Sequence, residues 1–155
     1  MTVATVEFPA LTNNGIAAGA AVAANKIVHQ KTVSVELAEA ATAIAAINKL
    51  ICTTNSTGTL RAIEGTIVVQ ATGADRTVTV DLHRSTGGGA FATALSTTVN
   101  ITNSTTILVP TAGVISTSTV ADGDVYKLVC TVAGSASAQA KGLVVTLIYD
   151  ELPIG

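Results

Sequence analysis

The run Thr77-Val78-Thr79-Val80-Asp81-Leu82-His83-Arg84 constrains the fold of this chain more than any other segment. Apolar and polar residues alternate strictly, and only a strand places every second side chain on one face. The spacing predicts Val78, Val80 and Leu82 inward, with Thr79, Asp81 and His83 outward. Related patterns recur along the chain. Thr32 to Leu37 puts Val33, Val35 and Leu37 on one face, and Leu60 to Gln70 carries Ile63, Ile67, Val68 and Val69, with Gly65 as a bulge or bend. Ala92 to Ile101, Thr105 to Val109 and Val114 to Val120 read as further strands. In Val125 to Val132, Lys127 marks the wet face, so Tyr126, Leu128 and Cys130 point inward; Leu143 to Tyr149 aligns Leu143, Val145, Leu147 and Tyr149. Turn chemistry separates these runs at Gly73-Ala74-Asp75, Gly87 to Gly89 and Asp122-Gly123-Asp124. Short strands at such regular spacing predict a mainly β fold, an antiparallel β-sandwich or jelly roll.

Two regions depart from this pattern. Residues 1–30 show no sustained period and are punctuated by Phe8-Pro9 and Asn13-Asn14-Gly15, which predicts an extended N-terminal arm ahead of a β domain over 31–155. The apolar side chains of the arm, Phe8, Ile16, Val22, Ile27 and Val28, are the expected interaction residues. From Ala38 to Leu50 the sequence is ambiguous: Leu37, Ala41, Ile44, Ile47 and Ile51 fit a helix packed on a core, whereas the surrounding pattern favours strands.

Composition narrows the function classes. Of 155 residues, 48% are hydrophobic and only 12% charged, which argues against disorder, and the length suffices for one domain with its own core. A net charge of -2 supplies no basic field for a polyanion, so no nucleic-acid partner is expected. The longest uncharged apolar run of the arm, Ile16 to Ala24, is too short for a membrane span, so no membrane partner is expected either. Aromatic residues make up only 3%, little material for stacking bases or sugars. Cys52 and Cys130 form no metal or redox spacing; a single disulfide between them stays open, and two reduced core residues are the favoured reading.

Catalytic patterns are equally thin. His83 sits beside Asp81 and Arg84 on a wet strand face, and no nucleophile elbow or phosphate-cradling loop accompanies it. Asp122-Gly123-Asp124 with Asp150-Glu151 offers oxygen ligands of the kind calcium takes, but Asp-Gly is also ordinary turn chemistry, and the turn is the preferred reading. The expectation is a non-enzymatic protein without cofactor, metal or catalytic residues.

The strands and turns carry a family resemblance. Thr79-Val80-Asp81-Leu82-His83-Arg84, the turn Gly87 to Gly89 and the apolar run Phe91 to Leu95 resemble a pattern in small structural proteins of tailed bacteriophages. Ala140 to Leu147 resembles the terminal strand of that group. Val120-Ala121-Asp122-Gly123-Asp124-Val125-Tyr126-Lys127-Leu128 resembles the approach to a late strand shared by those proteins and by trimeric jelly rolls of the tumour-necrosis-factor and complement type. The core aromatics of the latter are mostly missing here, which favours the phage branch. The resemblance spans roughly residues 50–150 and leaves the arm out.

It implies a virion structural protein made in the host cytoplasm. The implied role is a capsid decoration, or cement, protein that binds the outer surface of the major capsid shell as a homotrimer and stabilises it. The alternative is a receptor- or glycan-binding jelly-roll module of a phage fibre or tail, with contacts on Arg84 to Gly89, Asn100 to Ser104 and Asp122 to Asp124. The composition is compatible with the first role, because a surface poor in charge and rich in Thr, Ala and Val suits burial against other subunits.

Overall fold

A computed structural model describes residues 28–134 and 139–152. Phe8, Ile16, Val22 and Ile27 lie outside the described residues, as does the rest of the arm before Val28. The described chain runs β1 (His29–Ala43), β2 (Ile47–Thr53), β3 (Gly58–Val69), β4 (Thr77–Ser85), β5 (Ala92–Thr93), β6 (Leu95–Thr97), β7 (Val99–Thr102), β8 (Thr111–Ala112), β9 (Val114–Ile115), β10 (Thr119–Val120), β11 (Val125–Ala133) and β12 (Lys141–Glu151), with no helix among the described residues.

The pairing follows from folding one long hairpin in two. β1 pairs antiparallel with β12, β2 with β11, β3 with β8 and β10, and β4 with β5 and β7. Rolling that ladder brings β12 beside β3 and β11 beside β4. The result is two sheets, β1-β12-β3-β10 with β8 also on β3, and β2-β11-β4-β5 with β7 also on β4. This is the strand order of a jelly roll, as the alternating pattern predicts. A two-stranded ladder, β6 with β9, supplements the two sheets on the flank where their short strands lie.

The core lies between the sheets and is built from the predicted inward faces. Val78, Val80 and Leu82 meet Tyr126, Leu128 and Cys130 from one sheet, and Leu143, Val145, Leu147 and Tyr149 meet Leu60, Ile63 and Ile67 from the other; all are buried. Val33, Val35 and Leu37 pack against this cluster but are only partly covered.

The stretch at 38–50, ambiguous in the sequence, is strand, link and strand, the reading that the surrounding pattern favours. A register shift between Glu36 and Ala38 turns both Leu37 and Ala38 toward the core, and a second precedes Ala43. Of the residues at helical spacing, Ile44 is buried in the link, Leu37 and Ile51 are partly buried beside register shifts of β1 and β2, and Ala41 and Ile47 are exposed. Gly65 is not a bulge. The register shift of β3 falls at Arg61, while Gly65 stays paired with Val145. Glycine is needed there for space, since a Cβ would lie 2.9 Å from Val99 Cγ1 and 3.5 Å from Ile101 Cδ1 and Leu143 Cδ1.

The run Ala92 to Ile101 breaks into β5, β6 and β7, and Val114 to Val120 into β9 and β10. Thr105 to Val109 is a turn rather than a strand. Thr105 N–H donates to the Thr102 carbonyl at 3.2 Å, and its hydroxyl accepts from Thr102 N–H at 2.9 Å. Leu108, with φ 59°, occupies the left-handed region, which ends any extended run.

Candidate functional site

The strand pairing sorts the loops to two ends. Pairing of Arg84 with Tyr126, and of Glu151 with both His29 and Gly58, brings the Arg84–Gly89 and Asp122–Asp124 loops to one end of the sandwich. The third loop considered for recognition, Asn100 to Ser104, lies at the other end, where Thr102 pairs with Thr77.

At the first end the loops converge on Asp124, whose side chain is fully buried. Its carboxylate accepts from the Thr86 hydroxyl at 2.6 Å and from Ala121 N–H at 2.8 Å, and lies 3.6 Å from an Arg84 guanidinium nitrogen. Arg84 also donates to the Thr119 carbonyl. Gly123, at φ 76°, makes the reversal that turns Asp124 inward. Thr54 clasps the same turn from the neighbouring loop. Its N–H donates to the Asp124 carbonyl at 2.9 Å, its hydroxyl to the Ala121 carbonyl at 2.6 Å, and its carbonyl accepts from Gly123 N–H at 2.9 Å.

The Tyr126 hydroxyl is buried beside Arg84 without a hydrogen bond of normal geometry. Burial, and secondarily the Asp124 charge, push it up to about 12. Asp124 is therefore a structural node whose polar atoms are engaged within the fold. Of the other acidic residues that offer calcium-type oxygen ligands, Asp150 pairs with Arg61 at 2.6 Å and Glu151 with Lys31 at 3.6 Å. Among the described residues, no three His, Cys, Asp or Glu side chains are grouped to hold a metal ion.

The pair His83 and Asp81 lies on the outer face of β4, as the alternation predicts, with Nε2 3.1 Å from Asp81 Oδ2. Thr93 on β5 donates its hydroxyl proton to Asp81 Oδ1 at 2.6 Å. The hydroxyl thus bonds to the carboxylate and not to the imidazole, so the nucleophile–base–carboxylate order of a hydrolytic triad is absent from this cluster. Lys127 crosses the same face with Nζ 4.2 Å from the Phe91 ring centre, a cation–π contact between β11 and the β4–β5 loop.

The cysteines are free. Cys52 pairs with Tyr126 and Cys130 with Ile47 across the β2–β11 ladder, so they occupy different positions along it. Burial pushes both thiols up to about 11, with the Glu151 charge adding to the effect at Cys52.

What remains for function is surface. The outer face of the first sheet carries Thr32, Ser34 and Glu36 from β1, Val144, Thr146 and Ile148 from β12, and Ala62, Glu64, Thr66 and Val68 from β3. Small hydroxyl and aliphatic groups dominate, and Ser34 and Thr146 bond to each other at 3.2 Å. Large apolar side chains lie exposed in two further regions. One is the turn Ile107-Leu108-Val109, which is tied to β3 by Leu108 N–H on the Ile67 carbonyl at 2.9 Å and lies near the exposed Val68 and Val69. The other is β2, where Leu50 is 65% exposed and Ile47 40%. Val28, the one predicted interaction residue within the described chain, is half exposed. The exposed turn at 107–109 was missed in the sequence because three consecutive apolar residues read as a strand interior.

No family model matches the chain, and no curated protein or solved structure is significantly similar to it.

Proposed function

We propose that this chain is a non-enzymatic virion structural protein, a capsid decoration protein that binds the outer surface of the major capsid shell as a homotrimer and stabilises it. The observation that carries this reading is the outer face of the β1-β12-β3 sheet, where Thr, Ser, Ala, Val and Ile outnumber the charges of Glu36, Glu64 and the Arg61–Asp150 pair. Added to it are the exposed apolar residues of β2 and of the 107–109 turn. Such faces gain little from water and much from burial against another protein. Closed symmetry then multiplies each modest contact into firm attachment when several copies engage together.

The alternative, a receptor- or glycan-binding fibre module, asks for uncommitted polar groups on its loops. Arg84, Thr86 and Asp124 instead bind one another, and Phe91 lies against Lys127.

The test is electron microscopy of native particles that carry the protein. Copies spread over the whole shell, with particles lacking the protein bursting at lower temperature, support the decoration role. A few copies at a single vertex support the fibre reading, and particles equally robust without the protein contradict stabilisation.

A further inference from the structure

The two flanks of the sandwich differ. On one, the short strands β5, β7, β8 and β10 are accompanied by the β6–β9 ladder, which joins Leu95 to Ile115 and Thr97 to Val114. On the other, the sheets end in β1 and β2, and neither has a second strand partner among the described residues. β1 is the longest of the described strands, with 15 residues. Neither strand contains a proline that would block further pairing. The sheets stay apart here. Lys49 reaches across from β2 to donate to the Glu36 carbonyl of β1 at 3.1 Å. Behind that bridge, Val33, Val35 and Leu37 are only partly covered, and Ile47, although opposite the buried Cys130, is 40% exposed. Among the described residues, β1 beyond His29 and β2 thus meet no further strand along this flank and border a largely apolar lining bridged by Lys49, the two elements that recognise an added strand.

We infer that this open flank is the docking site for an extended segment from residues 1–27 of a neighbouring copy of the chain. The inference rests on the self-association proposed above and names its interface. The segment suits the site chemically: its charges are Glu7 and Lys26, and Ile16 to Ala24 is an uncharged run of small and branched apolar residues. It is also long enough. Pairing along all of β1 takes 15 residues, and 27 extended residues reach about 90 Å. The neighbour, and not the same chain, is the donor because of where the turns fall. The strongest hairpin signal ahead of β1 is Asn13-Asn14-Gly15, well before His29, and Ala24 to Val28 offers only Asn25, with no Gly or Pro beside it, to reverse the chain directly onto its own β1.

The test uses the full chain carrying Ala20→Cys, labelled with a benzophenone maleimide. At neutral pH the thiols of partly buried Cys52 and buried Cys130, both pushed up to about 11, remain protonated, so the label goes to position 20. Ordinary and ¹⁵N-labelled chains are unfolded, refolded together and irradiated. The expected result is cross-links from position 20 to peptides of β1 or β2 in which mixed-isotope pairs are as abundant as same-isotope pairs. Adding Ile47→Lys, at a side chain already exposed, should lower their yield about tenfold or more by placing a charge in the apolar lining. Exclusively same-isotope cross-links would mean that the segment closes its own flank and would overturn the inference. Cross-links falling elsewhere on an intact oligomer would overturn it while leaving self-association standing. A monomer without cross-links would remove both.

Discussion

Replacing Asp124 probes the node that joins three loops. In Asp124→Ala, the Thr86 hydroxyl and Ala121 N–H, now at 2.6 and 2.8 Å from the carboxylate, lose their acceptor. Hydrogen bonds to a charged group contribute about 1.5–3 kcal/mol each. The Arg84 side chain retains 22% exposure, so water meets part of its stranded charge and the full cost of breaking a buried ion pair does not apply. The expected loss is about 3–5 kcal/mol, a large share of the roughly 5–15 kcal/mol that holds a domain folded. Asp124→Asn keeps the shape. Its carbonyl oxygen still accepts from Ala121 N–H, and its amide can donate to a reversed Thr86 hydroxyl, so the loss should be about 1–2 kcal/mol. Urea unfolding followed by far-ultraviolet dichroism measures both, with an unchanged m-value showing that only stability has moved. A loss below about 1 kcal/mol for Asp124→Ala, or equal losses for the two variants, would refute the reasoning.

Three further outcomes follow from the geometry. Gly65→Ala brings a Cβ to 2.9 Å from Val99 Cγ1 and should cost about 1–2 kcal/mol, overpacking outweighing the backbone gain; an unchanged or raised melting temperature would contradict it. Leu108→Gly removes a side chain that is 69% exposed and relaxes a left-handed backbone, so stability to urea should rise by about 0.5–1 kcal/mol, and a fall would show that the side chain is packed. At alkaline pH the fold should weaken. Cys52 and Cys130 rise from 9.0 to about 11 on folding and Tyr126 from 10.0 to about 12, so the protonated forms are favoured in the native state. That contribution is complete below pH 9 and is lost through pH 12, and Tyr126→Phe should flatten the limb above pH 10.

The central strands were legible in the sequence because each buries one face and wets the other. Val78, Val80 and Leu82 could satisfy that demand only by alternation, and the same holds for Leu143 to Tyr149. Legibility failed where tertiary pairing interrupts the alternation. Register shifts in β1 near Leu37 and in β2 near Ile51, with Ile44 buried in the link between them, break the alternation there, and Gly65 looks like a bulge until Val99 is seen above it. Thr105 to Val109 misled for a different reason: a strand pattern assumes that consecutive apolar residues seek burial, and here Ile107, Leu108 and Val109 remain exposed on a turn. The polar node was half visible. Asp122-Gly123-Asp124 announced a turn, but Thr54 and Thr86, which reach it from distant loops, carry no local signal.

The claim that this is an assembly protein stands or falls most directly on the mass of the full chain in solution. Native mass spectrometry, repeated over a dilution series, should give a homotrimer that persists on dilution. A monomer at every concentration would contradict the account, because the weakly charged outer faces and the open β1–β2 flank would then remain in water without a partner.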